Sequence, residues 1–539
     1  MDRRREGRLW SLLRGVPFVL GFVLLLTQVK SLANLYDEGL VLANAERIRA
    51  GAVPYRDFWT IYGPGYFYAL AGLFSLVEPS VLVARVFDTM LRFLLTVEVY
   101  ALARVLTSRR IAWIPYALVT FWLAAIRFYS YPAFPATGAL LLAALLLARY
   151  LQRGGIRWLF LSGVALGLTA LLRLDFGGYG ALGFGVAVAL VALRRRGAAD
   201  SGRAARFAAI LRAEGVLAAG ALLVALPPYA YLALVSGLAT VYDALIVFPL
   251  TVFPTVRHLP VPPLFPEFGR LSAAQWYDWL RLYLPLAIYV TTIVVSSRWL
   301  FLRPPSSSRH RPATAGLFLA LTGTGLGLVV KATSRYHDLH VLPTTICAVI
   351  LATALLYRIP RRLWRELSFR ISFAGLALLF LTGPYVMHFW MLAARDYVPP
   401  TGCYSQLERA ACVLIVEDQE QVAEYLLAVT RPDEFVFVGN SRHDLIFVND
   451  LLLYFLMDRP IPTRYAELHP GLATTLPVQQ SIVNDLEERD VRWIVTMQTW
   501  PSGEPNASSI SSGVTFLDDY IRQAYQPDAT FGAYQVWRR

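Results

Sequence analysis

Apolar blocks long enough to cross a membrane recur along most of this chain, and that repetition limits the possible folds more than any motif does. A hydrocarbon core about 30 Å thick takes about 20 mostly apolar residues of helix. Candidate spans fall at 11–32, 80–105, 111–127, 133–151, 156–172, 177–194, 215–235, 280–302, 313–330, 339–357 and 371–391. So many blocks do not fit as core helices of one soluble domain. Of the 539 residues, 56% are hydrophobic and 16% charged, where soluble domains carry about 25% charged residues. The expected fold is a polytopic α-helical membrane protein with about 11 transmembrane helices. The first block is flanked by Arg3, Arg4, Arg5, Arg8 and Arg14, like the basic region of a signal peptide. It lacks a small-residue cleavage site and is read as a retained span.

The formal charge of +13 raises the question of nucleic acid. The arginines, however, sit in short connections between apolar blocks, which is a topology signal and no nucleic-acid signal. With the amino terminus inside, one side collects Arg104, Arg109 and Arg110, then Arg149, Arg153 and Arg157, then the 194–212 group, then Arg303, Arg309 and Arg311, then Arg358, Arg361, Arg362 and Arg365. That side is cytoplasmic by the positive-inside rule. The loops 33–79 and 236–279 and the region 392–539 then lie outside. Residues 62–77 are apolar enough to cross, but crossing there would put Arg104, Arg109 and Arg110 outside. The block is therefore read as an interfacial or re-entrant helix, with a hairpin as the alternative. The prolines of 236–279 exclude a continuous helix.

Residues 1–391 thus form the expected membrane domain, and 392–539 a small extracytoplasmic α/β domain. In the latter, strands are expected at 434–440, 491–496 and 533–537, and helices at 444–457, 482–489 and 515–525. A structural or acceptor-guiding role suits it, because Gly439-Asn440 lacks a glycine-rich nucleotide fingerprint. Cys403 and Cys412 have no metal spacing and, lying outside, stand either as a disulfide or as two thiols.

Charges in such a chain need reasons. Tyr36-Asp37-Glu38 follows the first span, and two readings stand side by side: a solvated loop start, or a general base whose neighbour orients it or shares a cation. Arg85, Asp88 and Arg92 fall on one face of the second span and must pair inside the bundle or in a wet cavity. Arg127, Arg173, Lys331, Arg335, His337 and His340 gather at outward helix ends, against the positive-inside bias. Snorkelling explains single cases; convergent cations at a headgroup depth suit a phosphate.

The stretch YDEGLVLANAERIRAGAVPYRDFWTIYGPGYFYALAGLF at 36–74, with Arg85 after it and SRYHDLHVLP at 334–343, resembles the GT-C membrane glycosyltransferases, in particular the branch of protein O-mannosyltransferases and lipid A aminoarabinose transferases. The resemblance covers the layout of about residues 10–390, its motifs far fewer positions. It implies transfer of a sugar from a polyprenyl-phosphate-linked donor to an acceptor hydroxyl of a glycan, lipid or protein, usually with inversion, at the outer face of the cell membrane and among its lipids. Asp37 matches the catalytic acidic position and Glu38 its neighbour, and the pair is where a divalent cation (Mg or Mn) would sit if one is used. Arg56-Asp57 departs from the Lys-Pro-Pro of the aminoarabinose branch, which puts that substrate in doubt. Arg335, Lys331 and Arg173 are carried over by position as donor-phosphate contacts, with Arg127 and His337 beside them. Tyr36, Arg56, Asp57, Trp59, Tyr62, Arg85 and His340 would shape the loop or touch substrate. A transporter or flippase of lipid-linked or anionic solutes is the competing class; it would favour internal repeats and broken midplane helices, and no convincing repeat is present.

Overall fold

The computed structural model describes residues 15–194, 203–302, 310–359, 397–498 and 502–539. The span expected at 371–391 and the start of the first one lie outside the described residues. The chain is a polytopic α-helical membrane protein. Among the described residues, six helices are long and apolar enough to cross a bilayer: Ala133–Arg153, Leu174–Leu193, Ala204–Ser236, Ala273–Phe301, Pro312–Ser334 and Asp338–Tyr357. Shorter apolar helices run Val16–Leu26, Trp113–Ala125 and Ile156–Leu172. The 26-residue helix Val81–Leu106 is longer than most of these but carries Arg85, Asp88, Arg92 and Glu98.

Close helix packing here depends on small residues, because apolar side chains gain little by leaving lipid for each other. A Cβ at Gly163 would lie 2.1 Å from the carbonyl of Leu217, so Ile156–Leu172 and Arg203–Ser236 touch backbone to backbone.

About half of the 33–79 loop is helical. Asp37–Arg49 and Gly65–Phe74 are both helices. The second has 10 residues, about 15 Å at 1.5 Å per residue, too short to cross a layer of about 30 Å. In the 236–279 loop the expectation holds only in part: helix runs unbroken from Leu238 to Thr251, with Pro249 inside it and a π-helical segment at Asp243–Val247 just before that proline. Phe253–Arg257 is a separate turn with Pro254 near its start, and residues 258–267 are not helical.

Beyond residue 400 four strands form one sheet: β1 (Val436–Asn440), β2 (Trp493–Met497), β3 (Gln526–Phe531) and β4 (Tyr534–Arg538), in the order β1-β2-β4-β3. β1 and β2 run parallel; β4 is antiparallel to both β2 and β3. β3 is not among the expected strands: its QPDATF is mostly exposed and polar and has no alternating apolar face. The helix expected at 444–457 covers only Leu452–Met457. The Asp450 carboxylate accepts the Leu453 N–H at 2.9 Å and so starts the helix late. The helices expected at 482–489 and 515–525 are Leu476–Glu488 and Phe516–Ala524. Cys403 and Cys412 are joined in a disulfide.

This sheet does not stand apart from the bundle. Val436, Leu453 and Trp493 belong to the same buried apolar cluster as Leu40, Phe134 and Leu140. The Leu451 and Leu452 N–H groups both donate to the Leu35 carbonyl, at 3.0 and 2.9 Å. A Cβ on Gly39 would lie 2.2 Å from the Leu452 nitrogen, so only glycine lets the Asp37–Arg49 helix sit on that backbone.

Candidate functional site

Asn34 sets the geometry of the acidic pair. Its side-chain oxygen accepts the N–H groups of Tyr36 and Asp37 at 3.0 and 2.7 Å, which starts the helix at Asp37. Consecutive helical residues point about 100° apart, so Asp37 and Glu38 cannot face one place.

Glu38 turns inward. Its two oxygens accept from Arg85 Nε and Nη2 at 2.7 and 2.8 Å, and one also accepts the Asn34 N–H at 3.0 Å. Arg85 further donates to the carbonyls of Val29, Ser31 and Leu32. Both side chains are fully buried. Next along the same face, Arg92 bonds Asp88 at 2.6 Å and the carbonyls of Leu123 and Ile126 at 2.9 and 2.7 Å. Tyr129 lies between the two guanidinium groups, its ring centre 4.6 Å from Arg85 and 4.5 Å from Arg92. This network is a structural salt-bridge layer. It fastens the end of the first span to the helix Val81–Leu106, and Arg85 serves as its hub rather than as a cavity residue.

Asp37 turns the other way, into a cavity of about 910 Å³. The cavity has two ends of different character. Its polar end is lined by Tyr36, Asp37, Tyr62, Arg173, Lys331, Arg335, His337 and His340, all singled out from sequence, and by Arg257, Glu467 and His469, which were not. Its apolar end is lined by Leu166, Gly167, Ala170, Gly178, Ala181 and Ala225 together with Leu182, Leu222 and Leu250. The last three are more than half exposed, so this end is not sealed from the outside of the bundle.

The cations differ in how far they are committed. Arg335 makes a two-pronged bond to Glu504 at 2.7 and 2.8 Å and donates to the Arg257 carbonyl at 3.0 Å. Arg173 bonds Asp175 at 2.9 and 2.6 Å. Among the described residues, the Lys331 ammonium donates to the Ser334 hydroxyl alone, at 3.3 Å, and lies over the Phe253 ring. Arg257 donates to the Phe447 carbonyl at 3.3 Å. Among the described residues, neither Lys331 nor Arg257 has a carboxylate within ion-pair distance.

Burial pushes the Asp37 carboxyl up to about 6, against the pull of Arg257 and Arg335. Burial likewise pushes Glu467 up to about 8, opposed by the Tyr36 hydrogen bond and reinforced by Asp37. His469 is driven down to about 3 by burial and by Arg257, so its ring is neutral.

The remaining sequence candidates lie elsewhere. Arg127 does not line the cavity. Arg56 and Asp57 pair with each other near the surface, at 2.7 Å, and Asp57 accepts the Val53 N–H. Their work is to shape the loop. Trp59 is buried against Phe248 and His469 and supports the cavity from behind. Because Glu38 faces Arg85, it and Asp37 do not converge on a cation. Among the described residues, no group of three or more His, Cys, Asp or Glu side chains could hold a metal ion. Arg257 was open to the same outward-cation argument as Arg335, since it lies in the 236–279 loop. Glu467 had no signal in the sequence, because only folding brings it to Tyr36.

No protein-family model matches the chain, and no curated protein sequence matches it. Solved structures do match in fold. ArnT from Cupriavidus metallidurans bound to undecaprenyl phosphate superposes with a TM-score of 0.58 at 14% identity, over 98% of this chain and 97% of that one. The same protein in the apo state gives 0.56 at 14% identity, over 99% and 98%. The archaeal oligosaccharyltransferase AglB from Archaeoglobus fulgidus, in complex with an inhibitory peptide and a dolichol-phosphate, gives 0.53 at 13% identity, over 91% of this chain and 70% of that one. Identities this low speak to fold alone. The chain shares the overall fold of these two proteins, a multi-pass helical bundle, and the likeness singles out no one family branch.

Proposed function

We propose that this protein transfers a sugar from a polyprenyl-phosphate-linked donor to an acceptor hydroxyl on the non-cytoplasmic face of the membrane, with Asp37 as general base. The observation that carries this reading is one cavity lined by the Asp37 carboxylate, by apolar side chains that reach the outside of the bundle, and by Arg257 and Lys331, neither of which has a carboxylate within ion-pair distance among the described residues. The lipids bound to ArnT and AglB, undecaprenyl phosphate and a dolichol-phosphate, have the same two-part chemistry: a long apolar chain and a phosphate. Here the chain would lie along Leu166, Ala181 and Leu222, and the phosphate would meet Arg257 and Lys331, with Arg173 and Arg335 adding field from their ion pairs.

The acceptor oxygen attacks the anomeric carbon from the side opposite the phosphate, which inverts that centre. The bond from carbon to phosphate oxygen breaks, and its electron pair leaves with the phosphate. Asp37 takes the acceptor's proton as the new bond forms. His337, His340 and the Tyr62 phenol line the same cavity and offer hydrogen bonds to the sugar or the phosphate. The outward orientation rests on the arginine asymmetry of the loops.

The test uses the full chain in lipid nanodiscs and labelled polyprenyl-phosphate sugars made in membranes from radioactive nucleotide sugars. Wild-type protein should release free polyprenyl phosphate as label moves to acceptor, and Asp37→Asn should abolish this without loss of folded protein. Near-normal transfer by that variant would remove Asp37 from the role. Orientation is checked by a cysteine placed at Gly269, which an impermeant maleimide should reach in intact cells.

A further inference from the structure

Glu467 enters the cavity from a stretch 431 residues beyond Tyr36 and is held there firmly. The Arg464 carbonyl accepts the Trp59 N–H at 2.9 Å. The Ala466 carbonyl accepts from the Asn449 side chain at 2.7 Å, and Arg464 donates to the Tyr55 carbonyl at 2.9 Å. The backbone on its amino-terminal side is thus tied to the 53–60 loop and to the sheet region at once. One carboxyl oxygen, Oε1, accepts the Tyr36 hydroxyl at 3.1 Å. The other, Oε2, is buried and has no hydrogen-bond partner among the described residues, in a side chain only 4% exposed. An unsatisfied buried polar atom costs about 1–3 kcal/mol, and this one belongs to a residue that lines the cavity next to the proposed base.

We propose that Oε2 of Glu467 contacts a sugar-type hydroxyl of the substrate, so that the carboxy-terminal region supplies part of the binding site. This inference rests on the transferase reading above. No cation lies within ion-pair distance of Glu467 among the described residues, so its task is not to neutralise the arginines. Burial holds its carboxyl protonated at neutral pH. A neutral acid that both donates and accepts suits a neutral hydroxyl and would be a poor partner for an ammonium group. The phosphate has Arg257 and Lys331. The hydroxyl belongs either to the sugar being transferred or to the acceptor.

The transfer assay is run on the full chain with Glu467→Gln and Glu467→Ala, and KM is measured separately for donor and acceptor. The alanine variant should raise one KM about tenfold or more, the glutamine variant should stay within about threefold, and affinity for undecaprenyl phosphate without sugar should not change in either. A rise in donor KM assigns the hydroxyl to the transferred sugar, a rise in acceptor KM to the acceptor. The proposal is overturned if alanine leaves both KM values within twofold, or if both variants are equally impaired with a lowered Tm, which would mean packing alone. Should wild-type protein transfer no sugar, the transferase reading fails first. Glu467 is then tested by dicyclohexylcarbodiimide, which labels protonated carboxyl groups in apolar surroundings; an unlabelled Glu467 overturns its place on the cavity wall.

Discussion

Glu38 and Asp37 leave one turn of helix in two directions and meet two different sets of cations. On the inner side, Arg85 has five N–H donors, and each has an acceptor: two on Glu38 and three backbone carbonyls. On the cavity side the accounts do not close. Among the described residues, Lys331 and Arg257 have no carboxylate within ion-pair distance, and Glu467 keeps one oxygen without a hydrogen bond. Buried charge is tolerated where it is fully paired, and a complete network has nothing left to offer a ligand. An incomplete one does. The difference separates charges that hold the fold from charges that await a substrate.

That contrast breaks most sharply at the two acids. Asp37→Asn should lower transfer by about 10²–10⁴-fold, the usual worth of a general base, with thermal unfolding in detergent unchanged. Glu38→Ala should do the reverse in kind. It strands the Arg85 charge and should cost about 3–5 kcal/mol of stability, read as a large fall in Tm or in yield of folded protein. If Glu38→Ala were stable and inactive, the inner network would not be structural. Arg257→Ala should weaken undecaprenyl phosphate binding roughly 10–100-fold, as expected for a lost charged hydrogen bond, measured by calorimetry in nanodiscs.

Asp37 must be ionised to accept a proton, and burial raises it to about 6 despite Arg257 and Arg335. Transfer should therefore rise with pH, about tenfold per unit below pH 6, and level off above it. Arg257→Ala removes a charge that favours the carboxylate, so the rise should move to higher pH in that variant. The smallest effect is expected at Arg56→Ala. Its pair with Asp57 is near the surface, where water and salt screen the attraction, and activity should be unchanged.

Much of the membrane part was legible because partition into hydrocarbon depends on local composition. The blocks at 133–151, 313–330 and 339–357 correspond to helices within a few residues, as do two of the shorter ones. The Arg85, Asp88 and Arg92 face could be read the same way, since spacings of three and four put side chains on one side of a helix. Strands β1, β2 and β4 were visible as apolar runs; β3 was not, because its pairing with β4 comes from a hairpin and not from its own polar side chains.

Sequence alone thus determined a multi-pass bundle and an acidic turn after its first apolar block, and it raised the expectation of cations gathered near that turn, which the cavity lining bears on only through tertiary structure. It did not separate the two acids of that turn. Tertiary structure decided which of them faces the cavity, because Asn34 fixes the helix start and Arg85 captures Glu38. It also brought Glu467 and Glu504 to Tyr36 and Arg335 across more than a hundred residues of chain. Contacts of that kind have no local signature: they depend on where distant backbone is held, and a residue's neighbours in sequence carry no record of it.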